Sequence, residues 1–291
     1  YYRIQFSLAR TGDEEKISVG LHSLHEEDPT FFAKFEPELK QTIVSGQGEL
    51  HLAIILKRLK QKYNVEVDEE EPRIPFRETI KAKAEAQGKY KKQSGGRGQY
   101  GDCHLKLEPM PRGEQFEFVN EIVGGVIPGK FIPAVEKGVI ERMEKGVIAG
   151  FPVVDVRVRC FDGSYHAVDS SEMAFKVAAS MGFQKAFNDA KPVLLEPIYD
   201  ITIKVPEEYM GDVMGDISSR RGKIMGMDSE GKFQIIRSQI PLAELYKYST
   251  TLRSMTQGRG IHTRTFAKYE EVPSDIAQKV IDQVMKEKEE E

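Results

Sequence analysis

Residues 41–67, QTIVSGQGELHLAIILKRLKQKYNVEV, contain a helix pattern between two short strand patterns. Over residues 49–63 the apolar side chains recur at helical intervals and form one stripe. The members of this stripe are Leu52, Ile55, Leu56, Leu59 and Tyr63. Residues 41–45 predict a strand before the helix, and Val65 and Val67 mark a strand after it.

The residues before this stretch complete a recognisable order of elements. Residues 2–8 alternate as a strand does, residues 13–28 place Ile17, Leu21 and Leu24 on one helical face, and residues 30–35 predict a further strand. The order strand, helix, strand, strand, helix, strand is the split βαβ, ferredoxin-like pattern. An acidic run with Pro72 and Pro75 follows and predicts a linker.

The same order returns near the C-terminus. The predicted elements are a strand at 195–205, a helix at 207–220, strands at 223–227 and 233–239, a helix at 242–255, a strand at 261–269 and a helix at 273–288. The turn Ser229-Glu230-Gly231 separates the two middle strands. We therefore expect a second ferredoxin-like domain.

The segment between these two patterns predicts a different α+β domain. Its elements are a long polar strand at 79–91, a glycine-rich turn, strands at 103–107, 115–122 and 153–160, an Asp162-Gly163 turn, and helices at 131–145 and 171–188. The two turns are expected to project from one end. The predicted domains are residues 1–75, 76–193 and 194–291.

Composition limits the classes of protein. The 291 residues are 40% hydrophobic and 30% charged, a soluble globular balance without an apolar run long enough to span a bilayer. The N-terminus has no signal-peptide features and begins like a strand in mid-protein, so we expect further sequence upstream. Cys103 and Cys160 are too few for a disulfide scaffold or a zinc site and suit a reducing cytoplasm.

The net charge of -4 conceals a basic stripe between residues 80 and 107. The stripe contains Lys81, Lys83, Lys89, Lys91, Lys92, Arg97 and Lys106. A local basic stripe on an acidic body can bind phosphate backbones. Charge alone favours the simpler alternative, a solvated lysine face.

Two glycine motifs imitate nucleotide sites. Residues 96–101 match G-x-G-x-x-G, but a strand pattern follows where a dinucleotide site needs a helix. Residues 124–131 nearly match a P-loop, yet Phe131 stands where a hydroxyl must bind magnesium, and Pro128 removes a backbone N–H. The histidines and carboxylates form no catalytic or metal-binding pattern, so the chain as given is not expected to be an enzyme.

Several stretches together resemble bacterial elongation factor G, domains III to V, in the family's order. They are residues 42–52 for domain III; residues 94–101, 116–120, 124–130, 150–156, 162–166 and 168–175 for domain IV; and residues 206–213 and 252–260 for domain V. The resemblance implies an α+β fold of three domains, in which two ferredoxin-like (βαββαβ) domains flank a ribosomal protein S5-like domain. It also implies an intact protein that is a GTPase moving tRNA and mRNA through the ribosome, with GTP and magnesium bound by an N-terminal GTPase domain outside this chain.

The resemblance also implies contacts. Domain IV would enter the small-subunit rRNA decoding centre through tip loops at 94–101 and 162–168, and domain V would approach large-subunit rRNA. The expected RNA- or ribosome-binding residues are Lys91, Lys92, Arg97, Gln99, Tyr100, Asp102, Tyr165, His166, Arg220, Arg221 and Arg259. Guanidinium groups can fork onto phosphate, and aromatic rings can stack on looped bases. If the resemblance is set aside, the simpler interpretation of His166 is an ordinary surface residue. The corresponding interpretation of Arg220 and Arg221 is that they stabilise the C-terminal end of a helix.

Two positions depart from the family's pattern and leave alternatives open. Asp102 stands where the family commonly has histidine, and a carboxylate facing phosphates is expected to repel them. Ala53 stands where the family commonly has glutamate. One alternative is therefore a paralogue specialised for ribosome recycling. A separate alternative, which does not depend on these two positions, is an enzyme that uses the glycine loops to bind a nucleotide.

Overall fold

The computed structural model describes residues 2–8, 14–93 and 98–290. Over these residues the chain is an α+β protein with three separate hydrophobic cores, within residues 17–67, 80–190 and 199–255. It divides into two compact units, residues 1–75 with 197–267 and residues 76–196 with 268–291. Residues 268–291, which the sequence assigned to a third domain, thus group with the middle segment. None of the described helices is long and apolar enough to cross a membrane.

The N-terminal part is ferredoxin-like, as predicted. Its elements are β1 (Tyr2–Leu8), α1 (Glu14–Glu27), β2 (Phe32–Glu36), β3 (Gln41–Gly46), α2 (Glu49–Tyr63) and β4 (Val67–Glu70). The strand order β2-β3-β1-β4 is antiparallel throughout. Leu52, Ile55 and Leu59 are buried on the predicted stripe of α2, because that face covers the sheet beside α1.

The middle segment builds a second sheet with two helices against it. Its elements are β5 (Arg77–Ile80), β6 (Ala84–Lys92), β7 (Gln99–Pro109), β8 (Phe116–Asn120), α3 (Ile132–Lys145), β9 (Val156–Ser164), α4 (Glu172–Asp189) and β10 (Pro192–Pro206). The sheet order is β6-β7-β9-β8, with β8 and β9 parallel and the other pairs antiparallel. Helix α4 lies so close to β6 that Gly88 faces Gly182 with no room for a side chain.

Two predictions for this segment were wrong. The single strand at 79–91 is two strands, because the amide of Ala82 turns away to donate to the carbonyl of Ala190 (2.9 Å). The Asp162-Gly163 turn is part of β9: a bulge opposite His104 and Leu105 lets pairing continue to Ser164. The chain therefore turns later than predicted, after Ser164.

The C-terminal elements form the second ferredoxin-like sheet. They are α5 (Met210–Ser219), β11 (Lys223–Glu230), β12 (Phe233–Pro241), α6 (Tyr248–Met255), β13 (Ile261–Glu271) and α7 (Ser274–Glu290). The strand order β11-β12-β10-β13 repeats the arrangement of the first sheet. The helix predicted at 242–255 is instead a 3₁₀ turn, Leu242–Leu245, followed by α6, since Lys247 takes a left-handed conformation between them (φ 52°).

Candidate nucleic-acid interface

Three strand ends of the middle sheet meet at one edge of the domain. Strand β6 ends at Lys92, which pairs with Gln99 at the start of β7, and Asp102 pairs with Ser164 at the end of β9. The start of β7 and the loop after β9 therefore lie side by side at this edge, and the second turn falls after Ser164 and not at Asp162-Gly163. We call residues 98–100 and 165–170 the tip.

The loop after β9 is closed by its own hydrogen bonds. The amide of His166 donates to Ser170 Oγ (2.9 Å), and the amide of Ser170 donates back to the carbonyl of His166 (3.0 Å). The imidazole Nδ1 of His166 accepts from the amides of Val168 (3.3 Å) and Asp169 (3.2 Å). The His166 side chain is nevertheless 57% exposed, so its other ring edge remains open to a partner.

The first loop is attached to the second through Asp169. The amide of Gly98 donates to Asp169 Oδ1 (3.0 Å), and the amide of Tyr100 donates to the carbonyl of Asp169 (2.9 Å). The ring of Tyr100 lies 6.5 Å from that of His166. The structure thus brings together two predicted contacts, Tyr100 and His166, with the exposed Tyr165 beside them.

The predicted basic and polar residues near the tip differ in their exposure and in their partners. Lys91, Lys92 and Gln99 are exposed where β6 gives way to β7. Arg97 lies outside the described residues. Farther down the predicted stripe, Lys81 pairs with Glu271 (3.0 Å) and Lys83 with Glu108 (2.9 Å). Lys83 and Arg159 hold the pKa of Glu108 at about 2, so this carboxylate stays charged and offsets the Lys83 end of the stripe.

The expectation that Asp102 faces phosphates was wrong. Asp102 is only 5% exposed, and its carboxylate accepts from Gln87 Nε2 (2.8 Å) and Ser164 Oγ (2.6 Å). The hydroxyl of Tyr100 reaches the same Ser164 oxygen at 2.7 Å. A buried carboxylate whose oxygens are occupied in this way supports the tip from within and does not meet a polyanion.

The three predicted arginines of the C-terminal part have partners within the chain. Arg220 donates to Asp216 (2.8 Å) and to the carbonyl of Glu244 (2.6 Å), and its guanidinium lies 5.0 Å from the Tyr248 ring centre. Arg221 pairs with Glu244 (2.9 Å), and Arg259 with Glu208 (2.5 Å). Arg220, at the C-terminus of α5, therefore matches the alternative in which it stabilises a helix end. Arg259 remains half-exposed.

The described residues of the two glycine motifs differ from nucleotide-binding loops. The G-x-G-x-x-G residues 98–101 enter a strand, β7, and no helix opens there. In the P-loop-like motif, a 3₁₀ turn, Gly129–Phe131, precedes α3, and the buried Phe131 stacks on Phe175 at 4.9 Å. The position that would need a magnesium-binding hydroxyl is thus a core aromatic residue.

Sequence reasoning missed the residues that hold the tip together. Asp169, Ser164 and Ser170 lie within stretches that resemble the family, but no chemical pattern marks their roles. Asp169 and Ser164 bond partners more than sixty residues away, whereas Ser170 bonds His166, four residues before it. A local signal was the pair Ser170-Ser171 before a helix, since serine is a favoured N-cap residue. Ser171 caps α4 by accepting from the amide of Ala174 (3.2 Å).

Three family models match the chain in order. Elongation factor G, domain III, matches residues 3–71; elongation factor G, domain IV, matches residues 72–191; and the elongation factor G C-terminus matches residues 193–280.

Individual proteins agree with these matches. Elongation factor G of Aquifex pyrophilus is 53% identical over 275 residues, covering 94% of this chain and 39% of the relative. A crystal structure of a protein from Thermus thermophilus aligns with a TM-score of 0.88 at 44% identity, covering 98% of this chain and 43% of that one. The chain therefore spans about two fifths of the length of these proteins. With domain III, domain IV and the C-terminus matched in sequence order, the chain belongs to the elongation factor G family.

Proposed function

We propose that this chain is the ribosome-engaging part of a longer elongation factor that moves tRNA and mRNA. The single observation that carries the proposal is the tip, where two loops from different strands present an exposed histidine and tyrosine beside Lys91, Lys92 and Gln99. Exposed rings can stack on unpaired bases, and the lysines can contact phosphates.

The partners follow from the family. We propose that the tip meets small-subunit rRNA of the decoding centre and the tRNA–mRNA pair, and that the C-terminal part approaches large-subunit rRNA. In the whole protein, GTP and magnesium would be bound by a GTPase domain outside residues 1–291. The Aquifex relative bears the name of an elongation factor, which does not favour the recycling alternative.

The salt dependence of ribosome binding tests the proposal. The purified chain is mixed with ribosomes at increasing salt, and the slope of log affinity against log salt is measured. Each phosphate contact adds about 0.9 to this slope on duplex and roughly 0.7 on single strands. Changing both Lys91 and Lys92 to glutamate should therefore lower the slope by up to about 1.8.

A matched control carries the same change of charge elsewhere. Lys279→Glu with Lys286→Glu reverses two exposed lysines on α7. We expect this pair to leave a steeper slope than the Lys91 and Lys92 pair. Absence of ribosome binding by the unaltered chain at low salt, or equal slopes for the two pairs, would refute the proposed tip contact.

A further inference from the structure

We propose that Asp169 is a positioning residue that fastens the two loops of the tip together and aims His166 at a hydrogen-bond acceptor of its partner. The partner's identity as RNA rests on the proposed function. The fastening itself rests only on contacts within the chain.

Asp169 serves both loops at once. Its backbone carbonyl accepts from the amide of Tyr100, and a parallel bridge joins Tyr100 to Ser170. Its side-chain Oδ1 accepts from the amide of Gly98, which extends the join two residues toward the start of the first loop. A β-carbon at Gly98 would lie 3.0 Å from the carboxylate carbon, so glycine permits this close approach. The Asp169 side chain is 24% exposed, which leaves the hydrogen bond partly shielded from water.

Asp169, together with the backbone amide of Val168, determines which atom His166 offers. In the neutral ring, Nδ1 accepts from the amides of Val168 and Asp169, so the ring proton lies on Nε2. In the charged ring, Nδ1 carries a proton and faces Asp169 Oδ2, 3.3 Å away. Nε2 is a hydrogen-bond donor in both states. The group that His166 recognises is therefore an acceptor, such as a phosphate oxygen or a base carbonyl or ring nitrogen.

The direction in which Asp169→Ala changes ribosome affinity distinguishes positioning from simple charge repulsion. Asp169→Ala removes a negative charge near a phosphate-binding tip, and electrostatics alone would then strengthen ribosome binding. Loss of positioning should instead weaken it by about tenfold, as expected for one lost charge-assisted hydrogen bond. Asp169→Asn keeps an acceptor oxygen for Gly98 and should restore binding. Glu172→Gln removes one exposed charge in the first turn of α4 and is the matched control.

Amide hydrogen exchange in the free chain tests the fastening without ribosomes. In Asp169→Ala, the Gly98 amide should exchange at least about tenfold faster, since it loses its charged acceptor. The Tyr100 amide, which donates to a backbone carbonyl, should remain protected and shows that the domain is folded. Asp169→Asn and Glu172→Gln should leave both amides protected. Unchanged exchange at Gly98 in Asp169→Ala, or loss of protection at Tyr100 as well, overturns the proposal.

Two isosteric variants test the donor. His166→Gln places its amide nitrogen near the position of Nε2, whereas His166→Asn keeps an acceptor near Nδ1 and has no group at Nε2. We expect Gln to bind ribosomes within about threefold of the unaltered chain and Asn about tenfold more weakly. Asn binding as well as Gln would refute the donor role. If the unaltered chain fails to bind ribosomes, the proposed function fails, while the exchange of Gly98 still decides the role of Asp169.

Discussion

Glu78 offers the most direct test of what holds the middle domain together. This carboxylate is fully buried and accepts five consecutive backbone amides. Oε2 takes those of Val147 (2.6 Å) and Ile148 (2.8 Å). Oε1 takes those of Ala149 (2.8 Å), Gly150 (3.0 Å) and Phe151 (3.1 Å). The segment that follows α3 thus has its backbone donors satisfied by one side chain from β5.

Two substitutions of Glu78 should differ in magnitude. Glu78→Ala leaves five amides without an acceptor. Since even one buried donor left unsatisfied costs about 1–3 kcal/mol, we expect a loss of about 3–5 kcal/mol of unfolding free energy. Glu78→Gln keeps one carbonyl oxygen for three amides but turns an NH₂ group toward the other two. We expect a loss of about 2–3 kcal/mol, since two bonds are lost and two donors then face each other.

The assay must report on this domain, because a chain with several cores need not unfold in one step. Urea titration followed by NMR signals of residues 76–196 gives the midpoint, and hydrogen exchange reports on the amides of 147–151. Glu85→Gln, an exposed change on β6, should stay within about 0.5 kcal/mol. An unchanged midpoint in Glu78→Ala, with amides 147–151 still protected, would refute the assigned role.

Two further predictions concern packing and pH. Gly88→Ala should destabilise the domain by about 3 kcal/mol or more, because its β-carbon would lie 1.9 Å from the Ala178 carbonyl oxygen. The control is Gly129→Ala, whose β-carbon would meet open space. Equal urea midpoints for the two variants would contradict the close packing at Gly88. Burial lowers the pKa of His262 to about 4. Between about pH 6.5 and 4 the unfolded chain therefore binds a proton more readily than the folded chain. The free energy of unfolding decreases as the pH is lowered through this window, by about 2 kcal/mol after allowing for partial exposure. Urea midpoints of the unaltered chain and His262→Gln at pH 7, 6 and 5 check this, and parallel curves would count against it.

The family resemblance and the chemistry of single residues differed in how well they located the site. The motifs placed two tip loops at 94–101 and 162–168, and the described residues of both lie at one edge of the sheet. Single residues were less secure. Asp102 was expected to be an exposed charge, and it lies on the face opposite the one that Gly101 turns toward α4. Only the fold shows that Gln87, Tyr100 and Ser164 enclose its carboxylate on that face. Arg220 follows a helix in sequence, but only the fold shows that Asp216, Glu244 and Thr251 surround it.

The local sequence pattern predicted most of the helices and the order of the ferredoxin-like elements, since hydrophobic period and turn residues act over a few neighbours. It missed the break at Lys247 between the 3₁₀ turn and α6. The stripe of α2 predicted its bounds, Glu49–Tyr63, and its buried face. Which polar groups face inward, and which loops are joined, becomes visible in the tertiary structure alone. Glu78 accepts hydrogen bonds from amides about seventy residues away in sequence, and Asp169 accepts from Gly98 at a similar separation. No local pattern encodes such pairs, because burial of a charge depends on the partners that the complete fold brings to it.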